Sequence, residues 1–394
     1  MSLNNVTSSE RVHIAFFGLR NAGKSSLVNA VTGQNLSLVS DVLGTTTDPV
    51  KKAMELLPLG PVVIIDTPGL DDEGDLGAMR VEKALGELNR TDIAVVVVDA
   101  TVEKPEIITE FEKQLTKTKT PYVVVYNKAD LLKEVPKNTA REIYVSAKSG
   151  LNIENFKTLL ANLMPQKTSR KIVGDLLTAG DMVVLVTPID EAAPKGRLIL
   201  PQQQTIRDIL DAGAISVVTK ESELESTLLA LKQKPKMVIT DSQVFGPVSK
   251  IVPNDIPLTS FSVLFARYKG ELECTVKGAK KLKHLKNGDT VLISEGCTHH
   301  RQCNDIGTKK LPNWINAYSG KTLNFEFTSG GEFPKDLSGY ALIVHCGGCM
   351  LTETEMKNRI QKARLSGVPI VNYGIAIAEM HGILDRAIKP FSEL

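Results

Sequence analysis

Nine consecutive residues, Gly18-Leu19-Arg20-Asn21-Ala22-Gly23-Lys24-Ser25-Ser26, have the types and spacing of a phosphate cradle, Gly-x-x-x-x-Gly-Lys-Ser. Glycines let a backbone wrap closely round a phosphate chain, and the N–H groups and positive end of a following helix face the anion. Lys24 would reach the β and γ phosphates, and the Ser25 hydroxyl would hold Mg²⁺. Such a loop needs a strand before it and a helix after it. Val12-His13-Ile14-Ala15-Phe16-Phe17 reads as a buried strand, and Ser25 to Val31 reads as a helix.

Three more groups follow in an order that completes a guanine-nucleotide site. Asp66-Thr67-Pro68-Gly69 comes directly after the apolar run Val62 to Ile65. Asp66 would hold Mg²⁺ through water, and the Gly69 N–H would sense the γ-phosphate. Asn127-Lys128-Ala129-Asp130 follows the strand-like Tyr122 to Tyr126. The Asp130 carboxylate can accept both N–H donors on the guanine edge, a pattern adenine lacks. Ser146-Ala147-Lys148 follows Ile143 to Val145 and would close over the base from the other side. Between the first two groups lies Gly44-Thr45-Thr46-Thr47-Asp48, where a switch loop is expected, with Thr46 completing the Mg²⁺ shell. Lys24, Thr46, Asp66 and Gly69 are the candidate catalytic residues.

A second chemistry is written near the other end. Val291-Leu292-Ile293 reads as a strand leading into Cys297-Thr298-His299-His300-Arg301-Gln302-Cys303. Tyr340 to Val344 reads as another, leading into His345-Cys346-Gly347-Gly348-Cys349. Two sulfurs on one tight glycine loop, with Cys297 as a third, suit a metal centre. Cysteines with histidines suit tetrahedral zinc, and three or four cysteines suit a 4Fe-4S cluster; spacing does not choose between them. Cys303 would either close the site or stand beside it. His299 and His345 are candidates for a labile fourth ligand or for orienting the ligands. His300 and Asp305 read as polar loop residues, and Cys274 as a core cysteine. A helix is expected from Thr352, with Glu355 completing a capping-box pattern.

Both chemistries are expected at strand ends, and the elements that place them fall into three segments. Residues 1–166 alternate strands with helical stretches at Ala78–Leu88, Pro105–Leu115 and Ile153–Leu163, which predicts a mostly parallel sheet covered on both faces. Residues 172–268 read as a second α/β unit, with strands at Met182–Val186, Ala214–Val218 and Met237–Thr240 and helices at Gln202–Leu210 and Glu221–Leu231. Residues 269–394 form a third, carrying the thiols. The basic run Lys167 to Lys171 reads as a linker, and Glu191 to Arg197 as a structural loop. The 394 residues are 42% hydrophobic and 23% charged, enough for ordinary cores. A net charge of +2 is too balanced for a general nucleic-acid binder. No signal-peptide core, membrane-length apolar run or lipidation box is evident, so the expectation is a cytoplasmic protein without membrane or nucleic-acid partners. Five cysteines in such a chain suit a metal site better than disulfides.

The first segment resembles the translation-factor-like GTPases related to the tRNA-modification GTPase MnmE and to Era, which implies a Ras-like P-loop fold. Asn21 stands where the potassium-activated members place a cation-ligating asparagine, so the resemblance implies a K⁺-stimulated enzyme. Leu70 stands where Ras-type enzymes carry a water-orienting glutamine, and intrinsic hydrolysis is expected to be slow. The whole chain, by Cys297-x-His299 followed at 345–349 by His-Cys-x-x-Cys, and by Pro188-Ile189-Asp190 leading to Ala193 to Arg197, resembles the HydF family of FeFe-hydrogenase maturation GTPases. That resemblance implies a 4Fe-4S cluster on Cys297, Cys346 and Cys349, and a middle dimerisation domain giving a homodimer. It further implies a scaffold and carrier role for the di-iron hydrogenase precursor. The implied partners are the radical-SAM maturases HydE and HydG and the apo-hydrogenase HydA. Two other functions stand beside this one. One is an RNA- or ribosome-associated, K⁺-stimulated GTPase with a structural zinc domain; the other is an iron–sulfur redox enzyme controlled by GTP.

Overall fold

The computed structural model describes residues 10–34, 49–71, 74–164, 170–189, 198–296, 306–348 and 351–391. The chain divides into two compact units, Met1–Lys167 with Thr352–Asn358, and Thr168–Leu351 with Arg359–Leu394.

The first unit is built on strands β1 (Val12–Gly18), β2 (Val50–Leu56), β3 (Gly60–Asp66), β4 (Ile93–Asp99), β5 (Tyr122–Asn127) and β6 (Glu142–Tyr144). They lie in the order β2-β3-β1-β4-β5-β6, parallel except for β2 against β3. Alternate residues of the central strands feed opposite cores. Ile14, Phe16, Val95 and Val97 pack with Leu27 of the helix Lys24–Thr32 and Phe156 of the helix Ile153–Asn162. Ala15, Phe17, Val96 and Ile65 pack with Leu88 of the helix Gly74–Leu88 and Phe111 and Leu115 of the helix Glu106–Thr118. Burial on both faces explains why these strands read as unbroken apolar runs. Each fully buried Phe or Ile contributes about 1.5–3 kcal/mol. This is the α/β, Ras-like arrangement expected. The edge strand β2, Val-Lys-Lys-Ala-Met-Glu-Leu, is mostly exposed and carries no apolar alternation, so the sequence did not announce it.

The second unit holds two parallel sheets. β7 (Met182–Val186), β8 (Ile215–Thr219), β9 (Met237–Thr240) and β10 (Leu258–Ser260) lie in the order β10-β9-β7-β8. β11 (Thr290–Ser294), β12 (Asn324–Thr328), β13 (Leu342–His345) and β14 (Ile370–Asn372) lie in the order β12-β11-β13-β14. One continuous core joins them, with Val184 and Val238 from the first, Val291, Ile293 and Val344 from the second, and Phe245 from the helix Phe245–Ile251. The intervening residues Leu292 and Ile343 face a smaller cluster with Leu337, Ala363 and Ile370. Cys274, expected in the core, is half-buried against this smaller cluster, and burial pushes its thiol pKa up. The helix expected over Glu221–Leu231 resolves into a 3₁₀ turn, Glu221–Glu223, and a helix, Leu224–Ala230. Among the described residues no helix is long and apolar enough to cross a membrane.

Candidate functional site

Each of the three sheet orders creates a crevice where successive connections leave a strand in opposite directions, and the candidate residues gather at two of them. In the first unit β1 has β3 on one side and β4 on the other, and the phosphate loop leaves the end of β1. In the second, β11 has β12 on one side and β13 on the other. Ligands of open α/β sheets settle at the carboxyl ends of such strands.

The phosphate loop is held by close contacts that only glycine permits. A Cβ on Gly18 would lie 2.2 Å from the Val97 carbonyl oxygen. One on Gly23, whose φ is +86°, would lie 2.2 Å from Asn127 Nδ2. Asn127 is nearly fully buried and ties the site together. Its Nδ2 donates to the Ala22 carbonyl at 3.1 Å, and its Oδ1 accepts the Ala147 N–H at 3.0 Å. The phosphate loop, the base-reading loop and Ser146-Ala147-Lys148 are thereby one assembly. Asp130 and Lys148 stand exposed, while Ser146 is buried and its Oγ accepts the Ser149 N–H at 3.0 Å.

Both phosphate-end side chains are hydrogen-bonded to protein groups around the loop. Lys24 is buried, and its Nζ donates to the Gly18 and Leu19 carbonyls at 3.1 and 2.7 Å. Ser25 Oγ donates to Asp66 Oδ2 at 2.6 Å, so the two expected Mg²⁺ ligands share one spot. Gly69 is buried, and the next residue, Leu70, donates its N–H to the Gly18 carbonyl at 3.2 Å. Ser26 lies in the first turn of the helix Lys24–Thr32. Asn21 is exposed in a left-handed turn, φ +59°. Beside the loop a cavity of ≈ 200 Å³ is lined by Leu19, Asn21, Val97, Val102, Pro105 and Ile108, among others. Thr46 lies outside the described residues.

Sequence reasoning missed two acidic residues here. Asp71 accepts the Arg20 backbone N–H at 2.7 Å, tying the phosphate loop to the segment after Gly69. Asp99, at the end of β4, accepts from Lys128 Nζ at 2.5 Å. Burial would raise the Asp99 pKa, but the hydrogen bonds from Lys128 and Thr101 bring it below the ordinary carboxylate value. An acid two residues before Thr101 has no motif spacing to betray it.

At the second crevice, Cys346 follows directly on β13. Its Sγ accepts the Gly296 N–H at 3.0 Å and the Gly348 N–H at 3.4 Å. Gly296 is the residue before Cys297 and lies just past β11. His345 is buried, and Arg359 Nη1 donates to its Nε2 at 3.0 Å. Since guanidinium has no acceptor, Nδ1 carries the proton and donates to the Cys346 carbonyl at 2.8 Å. Burial, then the Arg359 charge, holds the His345 pKa down to about 3. Both ring nitrogens of His345 are thus engaged by the protein. Lys269 Nζ donates to the Gly347 and Gly348 carbonyls at 3.1 and 3.2 Å. Lys269 and Arg359 were not singled out from the sequence, because each reaches the loop from a distant element. The helix starts at Glu353, and Thr352 Oγ1 accepts the Glu355 N–H at 3.1 Å, the expected cap. Cys297, His299, His300, Cys303, Asp305 and Cys349 lie outside the described residues. Among the described residues no three His, Cys, Asp or Glu side chains gather as metal ligands.

Sulfur accepting two backbone amides, one from each strand end, is the environment that suits a ligating thiolate. The donor set of the sequence, Cys297, Cys346 and Cys349, has the chemistry of the same centre.

Comparison with known proteins adds three family matches. Residues 172–270 match the hydrogen maturase F dimerization domain, and residues 273–390 the hydrogen maturase F tetramerization domain. Residues 13–128 match a 50S ribosome-binding GTPase model. The tRNA modification GTPase MnmE of Francisella tularensis subsp. novicida is 35% identical over 165 residues, 40% of this chain and 36% of that protein. MnmE of Legionella pneumophila is 32% identical over 202 residues, 50% of this chain and 42% of that protein. The chain thus spans well under half the length of these curated relatives. A solved structure of Aquifex aeolicus Era with GDP and AlF4⁻ is 17% identical, with a TM-score of 0.36, over 90% of this chain and 98% of that one.

Proposed function

This chain belongs to the hydrogen maturase F family and is a hydrogenase maturation GTPase, and from that premise we propose that it is also an iron–sulfur scaffold and carrier. Cys297, Cys346 and Cys349 would hold a 4Fe-4S cluster, which supplies an iron with an exchangeable coordination position. The di-iron precursor of the hydrogenase active site is the cargo, received from a pathway that includes HydE and HydG and delivered to apo-HydA. The observation that carries this reading is the Gly296 N–H on Cys346 Sγ at 3.0 Å, which brings the residue before Cys297 against the second thiol. The three segments 1–166, 172–268 and 269–394 would serve as nucleotide switch, pairing unit and cluster unit.

In the nucleotide site, Ser25, Asp66 and Thr46 would share the Mg²⁺, and Lys24 would leave its two carbonyl partners for the β and γ phosphates. Asn21 would ligate the K⁺ that stimulates turnover. Loss of the γ-phosphate would release the segments around Thr46 and Gly69, and this change would gate loading or release of the precursor. The two family models over residues 172–390 favour this reading over a ribosome-associated GTPase with structural zinc.

Lys24→Ala and Cys346→Ser separate the two halves of the proposal. Lys24→Ala is expected to lower GTP hydrolysis by about 10²-fold or more and to stop maturation of apo-hydrogenase. Cys346→Ser is expected to keep GTP hydrolysis and lose the cluster. Full maturation by Lys24→Ala would end the gating idea.

A further inference from the structure

We propose that Lys269, directly, and Arg359, through His345, are positioning residues that hold the carbonyls of residues 346–348, so that the Gly348 amide faces Cys346 Sγ. The proposal deepens the cluster reading above and rests on it for its redox consequence. A trans peptide points its C=O and its N–H in opposite directions. Lys269 Nζ holds the Gly347 carbonyl at 3.1 Å, and the N–H of that same peptide, belonging to Gly348, points to Cys346 Sγ. His345 Nδ1–H holds the preceding carbonyl, that of Cys346, at 2.8 Å. Lys269 also takes the Gly348 carbonyl at 3.2 Å, so three successive carbonyls are engaged by side chains.

Arg359 makes the His345 link rigid. The residue is 4% exposed, and its guanidinium donates to His345 Nε2 at 3.0 Å and to the Gly330 carbonyl at 2.8 Å. It also lies 3.4 Å from Ser294 Oγ, at the end of β11, and 5.2 Å from the Phe333 ring centroid. It therefore spans from the end of one crevice strand to the residue preceding the thiol on the other. Amide hydrogen bonds to sulfur and nearby positive charge both favour the reduced form of a thiolate-bound cluster.

The test uses the full chain, with and without anaerobic reconstitution by iron and sulfide. In the apo protein, Lys269→Ala is expected to speed amide hydrogen exchange over residues 346–348 about tenfold or more, with the thermal melt little changed. After reconstitution, Lys269→Ala and Arg359→Ala are expected to shift the midpoint potential to more negative values and to alter the EPR g-values of the reduced cluster. Arg359→Lys, which keeps one donor for His345, is expected to lie between Arg359→Ala and wild type. Wild-type exchange rates in Lys269→Ala, or wild-type potential and EPR in both Lys269→Ala and Arg359→Lys at equal iron content, would overturn the proposal. If Arg359→Ala does not fold, those two variants decide. A wild-type chain that takes up no iron would instead refute the cluster reading, and the exchange rates would still decide the positioning role.

Discussion

Asn127 does more than its place in a base-reading motif implies. Its amide spans the Ala22 carbonyl and the Ala147 N–H, and Gly23 has no Cβ because that amide occupies the space. Gly23→Ala should displace the amide and force a left-handed alanine, at a cost of about 1–3 kcal/mol, with loss of nucleotide binding measurable by calorimetry. Asp130, exposed beside this assembly, is the proposed guanine reader. Its replacement by alanine should cost about 1.5–3 kcal/mol of GTP binding, roughly 10- to 150-fold in Kd. These residues were legible because phosphate and base chemistry fix both their types and their intervals. Asp71, Lys269 and Arg359 were not, since their partners are backbone groups or side chains brought near only by folding.

At the scale of elements, Arg267 shows what secures the second unit. It lies on the helix Phe261–Tyr268, donates to Asp175 Oδ1 at 3.1 Å and sits 5.4 Å from the Phe391 ring centroid. Burial would raise the Asp175 carboxyl, but the Arg267 hydrogen bond and charge outweigh it and hold the pKa below the ordinary value. A carboxyl with a lowered folded pKa binds fewer protons than its unfolded counterpart, so its stabilisation is full above the ordinary value and is lost as pH falls through the folded one. Arg267→Ala should therefore melt lower than wild type at neutral pH, and the ion-pair share of that difference should vanish in acid. Because Asp175 is 37% exposed at its side chain, that share is about 1 kcal/mol or less. The central strands around such contacts were readable as apolar runs. β2 was not: it is an edge strand with a solvated face, so burial left little pattern on the sequence.

At the scale of the whole molecule, one chain carries a nucleotide site, a thiol site and two segments matching oligomerisation domains. β8 is an edge of its sheet, and Ile215 and Val218 on it are 48% and 45% exposed. Ile215→Lys should weaken self-association, read by analytical ultracentrifugation, while leaving the monomer's fold intact. The α/β class was visible from alternating strands and helices, but a core continuous across the second and third segments was not. Shared burial between distant stretches leaves no local periodicity. Iron, acid-labile sulfide and reduced-state EPR, measured on anaerobically reconstituted wild type beside Cys346→Ser, test the proposed cluster most directly. The expected result is a brown wild-type protein with a cluster signal that Cys346→Ser lacks. A colourless wild type holding zinc, or a Cys346→Ser chain with wild-type iron and an unchanged spectrum, would contradict it.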